Sequence, residues 1–243
     1  MRLVVFGASG ATGRHVVDLA ARAGWSVRAV VRSELQRGVL KGADEVSVGD
    51  STDPDDVARA VKGAGAVAVC LGISRRTRSP FAPLVSPPDL TSRSVAAIVQ
   101  SMQRAGVRRI VYVSAFGAGE SGSLIPWWGR AFLRLSQVRH SMADHTRSEH
   151  LLSSSGLAWT ALRPMLLDDA PCDLPAQEMQ PATRCWPSSR ANRSHGLSWP
   201  RWAIRRPMTV RCRSSRPRPG PAVRKPPSMA LECAWRTSWP PSC

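Results

Sequence analysis

Three glycines near the start of the chain, Gly7, Gly10 and Gly13, constrain its fold more than any other feature. They follow residues 2–6, a short run rich in β-branched side chains that is typical of a buried strand. They lead into residues 12–23, where apolar side chains recur at helical spacing. A glycine-rich turn between a strand and a helix indicates an α/β fold that binds a nucleotide at this turn.

Each glycine of this turn has a distinct predicted role. Gly7 lets the chain turn tightly, Gly10 removes a side chain where a pyrophosphate would approach the backbone, and Gly13 lets the helix pack closely on the strand. The helix N-terminus offers N–H groups and a partial positive charge to phosphates, and the hydroxyls of Ser9 and Thr12 can add donors. We therefore predict a dinucleotide-binding loop, the alternative being a purely structural turn.

Strands and helices alternate along the chain after this loop. Strands are predicted at residues 2–6, 26–31, 45–48, 66–71, 109–114 and 158–162. Helices are predicted at residues 12–23, 53–61, 90–105 and 136–154, the second with Asp53 as N-cap and Pro54 at its first position. This alternation predicts the α/β class, with a Rossmann-type doubly wound parallel sheet, six recognisable strands and right-handed crossovers.

The residues after the second and third strands favour one cofactor. An acidic side chain after the second strand would bind a ribose 2′-hydroxyl and indicate NAD. This chain has Arg32, which can stack on adenine and pair with a 2′-phosphate, and Ser33, which can donate a hydroxyl. We therefore predict NADP (NADPH), the alternative being a solvated arginine. Asp50 could reach the adenine amino group or could only shape its turn.

Two further segments follow strands at the edge of the sheet where ligands bind in such folds. Residues 73–88 are basic and rich in proline, and they either line the ligand site or form a plain surface loop. Residues 117–129 contain the adjacent Trp127 and Trp128. This pair could cap a flat ring or anchor the next helix by its apolar contacts, and we favour the anchor.

With those residues placed, the chain resembles the atypical short-chain dehydrogenases/reductases, and most of all the NAD(P)H-binding group that includes biliverdin-IXβ reductase/flavin reductase. The resemblance covers about residues 1–171. The matching segments are GASGATG at 7–13, VVRS at 30–33, GD at 49–50, LG at 71–72, VSAFG at 113–117, ADH at 143–145 and SGLAWTALRP at 155–164.

The resemblance implies hydride transfer from NADPH to a flat conjugated acceptor such as a flavin, a tetrapyrrole or a quinone. It also implies which residues contact the cofactor. These are Gly7, Ser9, Gly10, Thr12, Gly13, Arg32, Asp50, Leu71, Gly72 and Ser114. The alternative function is that of a regulatory protein which senses NADP, binds a protein partner and catalyses nothing.

The chain departs from ordinary short-chain dehydrogenases at their catalytic Tyr-x-x-x-Lys pair. Its single tyrosine, Tyr112, lies in the fifth predicted strand with no lysine four residues on, and Ser141 and His145 stand where the pair belongs. Ser114 and His145 are our candidates for orienting or protonating the acceptor. The alternatives are that Ser114 only bonds backbone at a strand end and that His145 is a solvated helix residue.

The composition changes near Pro171, which divides the chain into a predicted NAD(P)-binding domain, residues 1–171, and a basic tail, residues 172–243. The tail holds 13 of the 34 basic residues and 3 of the 17 acidic ones, a net charge of +10, and 12 of the 20 prolines. We favour an out-of-frame translation product, in which case the C-terminal part of the fold is missing or replaced. The alternative is a disordered extension that binds nucleic acid or anionic lipid.

The sequence also bounds the compartment and partners. It contains no uninterrupted apolar run of the roughly 18 residues that a membrane span needs. We expect a cytoplasmic protein whose partner is a small-molecule acceptor, without a membrane partner, and with nucleic acid attracted only by the tail. The tail cysteines form no C-x-x-C pair, so we expect no metal site. The oligomeric state is left open.

Overall fold

The computed structural model describes residues 1–164, apart from the side chain of Val39. In this range six parallel strands form one sheet in the order β3-β2-β1-β4-β5-β6. The strands are β1 (Arg2–Phe6), β2 (Ser26–Val31), β3 (Glu45–Val48), β4 (Ala66–Val69), β5 (Arg109–Val113) and β6 (Ala158–Leu162). This order confirms the predicted Rossmann-type sheet. The tail, its cysteines and the predicted boundary at residue 171 lie outside the described residues.

Five α-helices connect these strands. They are α1 (Ala11–Arg22), α2 (Pro54–Val61), α3 (Leu90–Arg104), α4 (Trp127–Leu135) and α5 (Val138–Ser154). Two short 3₁₀ helices, Glu34–Val39 and Gly119–Leu124, complete the described connections. The sequence did not predict α4, because Pro126 and Gly129 weaken a helical pattern of only nine residues.

Alternating side chains of the sheet enter two apolar cores, one on each face. Leu3 and Val5 of β1 pack on the face that α1 covers, whereas Val4 and Phe6 pack on the opposite face. All four are fully buried. The second face receives α2, α3 and α5 through Val57, Val61, Val95, Ile98, Met102 and Leu152. Because strand side chains alternate, a parallel sheet covered on both faces needs such nearly continuous apolar strands.

The start of α2 follows its sequence signal. The Asp53 carboxylate accepts hydrogen bonds from the backbone N–H groups of Asp55 and Asp56 at 2.9 and 3.0 Å, and Pro54 occupies the first helical position. Asp53 is therefore the N-cap, as predicted. At the other end of α2, the buried Arg28 of β2 donates to the carbonyl oxygens of Ala60 and Lys62 at 2.6 and 2.8 Å.

The start of α3 depends on a residue far away in the sequence. The fully buried carboxylate of Asp144, on α5, accepts hydrogen bonds from the N–H groups of Thr91 and Ser92 at 2.8 and 3.2 Å. These first-turn donors would otherwise lack partners inside the helix. The interaction ties α5 to the end of α3 that borders the cleft described below, where Leu90 lies.

Candidate cofactor site

A cleft with a volume of about 200 Å³ opens at the carboxyl ends of the strands β1 to β4. The chain leaves β1 towards β2 on one side and returns to β4 on the other, so β1 and β4 flank the point where the strand order reverses. Ligands of open α/β sheets bind at this point. Six of the predicted cofactor residues line the cleft: Gly7, Ser9, Gly10, Arg32, Leu71 and Gly72.

Two glycines of the loop are required by the protein's own backbone. Gly7 has a φ of +73°, and a Cβ there would lie 2.6 Å from the carbonyl oxygen of Cys70. A Cβ at Gly13 would overlap the carbonyl oxygen of Gly7. Side chains at these positions would push the loop away from β4 and α1, as the sequence predicted for a tight turn and close helix packing.

Two other glycines leave space on the cleft side. A Cβ at Gly10 would meet only the carbonyl oxygen of Gly7, at 3.3 Å, and a Cβ at Gly72 would meet no atom within 4 Å. Gly10 is also the N-cap of α1, where no side chain among residues 1–164 caps the helix and no acidic residue occupies the first turn. The N–H groups of this turn are therefore available to an anion, so the cradle fits the diphosphate of a dinucleotide.

The two residues predicted to select the cofactor directly follow β2. Arg32 is exposed and lines the cleft, and its backbone N–H donates to Gln36 Oε1 at 3.2 Å. Ser33 caps the following 3₁₀ helix by accepting from the N–H of Leu35 at 3.3 Å. Its hydroxyl hydrogen remains available to a ligand, because accepting this bond uses only an oxygen lone pair.

Asp50 lies beside the cleft rather than among its lining residues. Its Oδ1 accepts hydrogen bonds from the N–H and the hydroxyl of Thr52, both at 2.8 Å. These bonds lower the pKa of the Asp50 carboxyl, and the charges of Arg32 and Arg93 lower it further. Oδ1 of Asp50 therefore shapes its own turn, and contact of this carboxylate with adenine stays a prediction.

Ser114 belongs to a buried charged cluster at the end of β5. Its hydroxyl donates to Glu149 Oε1 at 2.6 Å, and Arg163 donates to the same carboxylate from Nε at 2.9 Å and from Nη2 at 2.5 Å. All three residues are buried. The interpretation that Ser114 only bonds backbone is therefore wrong. Sequence reasoning missed Glu149 and Arg163: Arg163 directly follows a predicted strand, but no local signal marks Glu149, inside α5, as its partner.

His145 forms a second buried pair with Tyr112 of β5. The Tyr112 hydroxyl lies 2.5 Å from His145 Nδ1, and the histidine is only 7% exposed, so the interpretation as a solvated helix residue is wrong. Burial raises the pKa of Tyr112 and lowers the pKa of His145, even though the charges of Asp144 and Glu149 act to raise the latter. Both side chains are then neutral at pH 7, and the tautomer of His145 decides which of the two atoms donates this hydrogen bond.

The structure does not place every predicted site residue in the cleft. The predicted site residues outside the lining of the cleft are Thr12, Gly13, Ser33, Asp50, Ser114 and His145. Ser114 directly follows β5, and His145 lies on α5. Within residues 1–164 Ser114 bonds Glu149 and His145 bonds Tyr112, and the two candidates do not bond each other. Their roles toward a ligand remain predictions.

The segment after β4 is built as a hairpin, and we call residues 73–88 the strap. Arg75 and Leu84 form an antiparallel bridge, and the N–H of Val85 donates to the carbonyl oxygen of Ser74 at 3.0 Å. Ser74 also lines the cleft, so the strap begins at the cofactor site. The alternative of a plain surface loop does not account for this contact.

The tryptophan pair does not anchor a helix. Trp127 is 76% exposed and Trp128 is 64% exposed, and no residue of α4 is buried. The interpretation favoured from the sequence is therefore wrong, because an anchoring side chain would be covered by the core. Among residues 1–164 no helix has the length and apolar character to cross a bilayer. No cluster of potential metal ligands is found within the same residues.

Comparison with known proteins agrees with this geometry. The sequence profile of the NAD(P)H-binding family matches residues 7–189. The anaerobilin reductase ChuY from Escherichia coli O157:H7 has a similar structure, with a TM-score of 0.60 and 23% identity over 74% of this chain and 81% of that one. The oxidoreductase ylbE from Lactococcus lactis gives a TM-score of 0.56 and 15% identity, over 71% of this chain and 73% of its own.

A third similar structure contains a cofactor. A short-chain dehydrogenase/reductase from Veillonella parvula in complex with NADP gives a TM-score of 0.54 and 17% identity, over 70% of this chain and 71% of its own. At these identities the likeness shows the fold, and the sequence profile shows the family. The chain belongs to the NAD(P)H-binding family and has a Rossmann-type fold.

Proposed function

We propose that this protein is an NADPH-dependent oxidoreductase that transfers hydride to a flat conjugated acceptor, such as a flavin, a tetrapyrrole or a quinone. The observation that carries the proposal is the pairing of a glycine-lined cleft at the reversal of strand order with Arg32 at the end of β2. A guanidinium at this position suits a 2′-phosphate, whereas a carboxylate would suit the 2′-hydroxyl of NAD.

The proposed cofactor contacts divide along the cleft. The diphosphate would be bound by the loop and the start of α1, through Gly7, Ser9, Gly10, Thr12 and Gly13. The adenosine end would be held by Arg32, Ser33 and Asp50. The path towards the nicotinamide would pass Leu71 and Gly72, where the open space beside Gly72 favours a close approach of the ligand to the backbone. NADPH supplies the hydride when it is bound.

Ser114 is proposed to position the ligand rather than to transfer a proton. Its hydroxyl hydrogen is donated to Glu149 Oε1, and Arg163 holds that carboxylate in place. The oxygen lone pairs of Ser114 therefore remain to accept a hydrogen bond from an N–H group of a ligand. Because two hydrogen bonds from Arg163 hold the Glu149 carboxylate beside Ser114, this orientation of the hydroxyl is stable.

His145 is proposed as the group that orients or protonates the acceptor. We assign the hydrogen of the bond between Tyr112 and Nδ1 to the phenol, so that Nε2 carries the ring proton and can donate towards a ligand. Tyr112 itself is unsuited to the role of the usual catalytic tyrosine. Burial raises its pKa, and a catalytic proton donor needs a pKa near the working pH.

Reduction of a conjugated acceptor fits this chain better than ordinary carbonyl chemistry. Carbonyl reduction in short-chain dehydrogenases uses a tyrosine whose pKa a nearby lysine lowers, and Tyr112 is shifted in the opposite direction. In a conjugated ring the charge left by hydride addition is delocalised, so the protein has less proton transfer to catalyse. The family of the chain and the character of its candidate residues therefore support the same chemistry.

A second function, NADP sensing without turnover, is favoured by one observation. Both candidate catalytic side chains are buried and already bonded to protein groups, Ser114 to Glu149 and His145 to Tyr112. The experiment that separates the two functions is NADPH oxidation by the full chain with FMN, biliverdin or menadione in separate assays. Steady oxidation above the protein-free rate supports the reductase. Tight NADPH binding without oxidation in any assay supports the sensor.

A further inference from the structure

We propose that α4 and the tip of the strap form a docking surface for an anionic lipid bilayer, which the protein would bind without spanning it. We call this surface the basic apolar face. It consists of the exposed apolar residues Phe81, Trp127, Trp128, Phe132 and Leu135, with the arginines around them. The inference goes beyond the proposed redox function and does not depend on it.

The helix α4 carries an apolar stripe that faces away from the protein. Trp127, Trp128, Phe132 and Leu135, together with Ala131, follow the spacing of one helical face, and all are exposed. Leu135 is the most exposed at 77%. The half-buried Leu133 lies on the opposite side of the helix. A surface helix of a globular protein normally turns its apolar stripe to the core, so this helix is oriented for an external apolar environment.

The strap extends this apolar surface beyond α4. Phe81 is 58% exposed and contacts Phe132 edge to face, with ring centroids 5.8 Å apart. The N–H of Gln137 donates to the carbonyl oxygen of Pro80 at 2.8 Å and fixes the strap tip beside the junction of α4 and α5. Phe81 therefore joins the apolar stripe of α4 at Phe132, so that two chain segments contribute to one exposed apolar surface.

The charged side chains of the two segments that carry the patch are all positive. These segments, residues 73–88 and 125–143, contain no aspartate or glutamate. Their arginines are Arg75, Arg76, Arg78, Arg130, Arg134 and Arg139. An exposed amphipathic helix with tryptophan on its apolar face and arginine on its polar side is the pattern of helices that lie in the interface of anionic membranes. The positive charge of these arginines indicates that the molecule bound here carries negative charge.

The positive charge of the basic apolar face argues against two other occupants of this surface. A second copy of the chain would bring six arginines against six more, because a symmetric contact repeats the same surface. Residues 165–243 carry 13 basic and 5 acidic residues, so their charge also has the sign of the patch. An anionic bilayer supplies both phosphate groups for the arginines and an apolar layer for the tryptophans. The sequence led us to expect no membrane partner because that expectation considered spanning segments only.

The test is binding of the full chain to vesicles of phosphatidylglycerol with phosphatidylcholine, compared with vesicles of phosphatidylcholine alone. We expect binding to the anionic vesicles only, weakened by salt. The variant Trp128→Ser with Phe132→Ser should bind at least about tenfold more weakly, since it removes apolar contacts. The matched control is Leu35→Ser, which changes a side chain that is 92% exposed on a different element. Circular dichroism and melting temperature verify that each variant folds.

A second measurement does not depend on those serine variants. Lipids brominated in their acyl chains should quench part of the tryptophan fluorescence of the wild-type chain. The conservative variant Trp127→Phe with Trp128→Phe should still bind, and the quenched part of its fluorescence should be lost. Quenching that persists in this variant would mean that tryptophans elsewhere enter the bilayer, and the proposal would be wrong.

Three further outcomes overturn the proposal. The first is no binding to anionic vesicles at low salt. The second is binding that the Trp128→Ser and Phe132→Ser variant retains but that Arg216→Gln with Arg218→Gln abolishes, which assigns it to the tail. The third is a concentration-dependent dimer that the serine variant dissociates, which assigns the patch to a second copy of the chain.

Discussion

The phenol oxygen of Tyr112, on β5, and Nδ1 of His145, on α5, share a hydrogen bond across 2.5 Å in the interior of the protein. Burial lowers the pKa of this histidine and raises that of the tyrosine, so both side chains are neutral at pH 7. A buried neutral histidine has a consequence for the stability of the fold, which can be measured without knowing any ligand.

Stability should fall as the pH drops below about 6.5, the ordinary pKa of histidine. The unfolded chain takes up a proton at His145 in this range, whereas the folded chain resists it because its pKa is lowered. Unfolding is therefore favoured as the pH falls from 6.5 through the folded-state pKa, by at most about 1.4 kcal/mol per pH unit for one group. The measurement is urea unfolding between pH 8 and pH 5.

The matched pair of variants for this experiment is His145→Gln and His150→Gln, because His150 is exposed on the same helix. We expect the first variant to be less stable at pH 8 and to have a flatter pH dependence than the wild type. The second should keep the wild-type slope. Equal slopes in wild type and His145→Gln would contradict the assignment of the buried histidine as neutral.

Replacing Arg32 by aspartate should reverse the choice of cofactor. The change removes the guanidinium proposed to pair with the 2′-phosphate and places a carboxylate where it can bind a ribose 2′-hydroxyl. A hydrogen bond to a charged group contributes about 1.5–3 kcal/mol, so NADPH binding should weaken at least about tenfold. Binding is measured by the fluorescence of NADPH and of NADH. Arg37→Asp, on the adjacent 3₁₀ helix, is the charge-matched control.

The loop glycines should separate into two classes when each is replaced by alanine. Gly13→Ala places a Cβ against the carbonyl oxygen of Gly7, so we expect a loss of about 2 kcal/mol or more in the free energy of unfolding. Gly10→Ala meets only one atom, at 3.3 Å, so stability should change little while NADPH binding falls. Gly38→Ala is the control, because Gly38 does not line the cleft and a Cβ there would meet no atom within 4 Å.

Replacing Glu149 should strongly lower the free energy of unfolding, because the buried Arg163 then loses its charged partner. Breaking a buried ion pair from one side costs about 3–5 kcal/mol, and Glu149→Gln should approach that loss in urea unfolding. Ser114→Ala removes one hydrogen bond to the same carboxylate and should cost about 1 kcal/mol. The exposed Glu120 provides the control Glu120→Gln. A small effect of Glu149→Gln would mean that Arg163 finds another acceptor.

The start of the chain could be interpreted from sequence because its signals are local. The strand Arg2–Phe6, the glycine turn and the first helix occupy about twenty consecutive residues, and each depends on spacing within a few positions. The same holds for Asp53, whose capping partners are two and three residues away. The class of the sheet followed from these elements because parallel strands with helical connections have few possible arrangements.

The charged interior could not be predicted in the same way. Asp144 caps a helix that begins more than fifty residues earlier, and Glu149 joins Ser114 and Arg163 from separate strands. No periodic pattern announces such contacts, because a buried acid on a helix has the same sequence appearance as a solvated one. The sequence also led us to expect that Trp127 and Trp128 would be buried as an anchor for the next helix, because large aromatic residues are more often buried than exposed. Both are exposed.

The sequence by itself determined the strand–turn–helix unit, the parallel sheet and the basic residue at the end of β2. Their causes are backbone geometry and hydrophobic periodicity, which act between neighbours along the chain. Only the tertiary structure decided that Tyr112 meets His145, that Ser114 is committed to Glu149, and that α4 presents its apolar side outwards. These outcomes depend on which surfaces the sheet brings together, because burial and pairing are properties of contacts between segments that are distant in sequence.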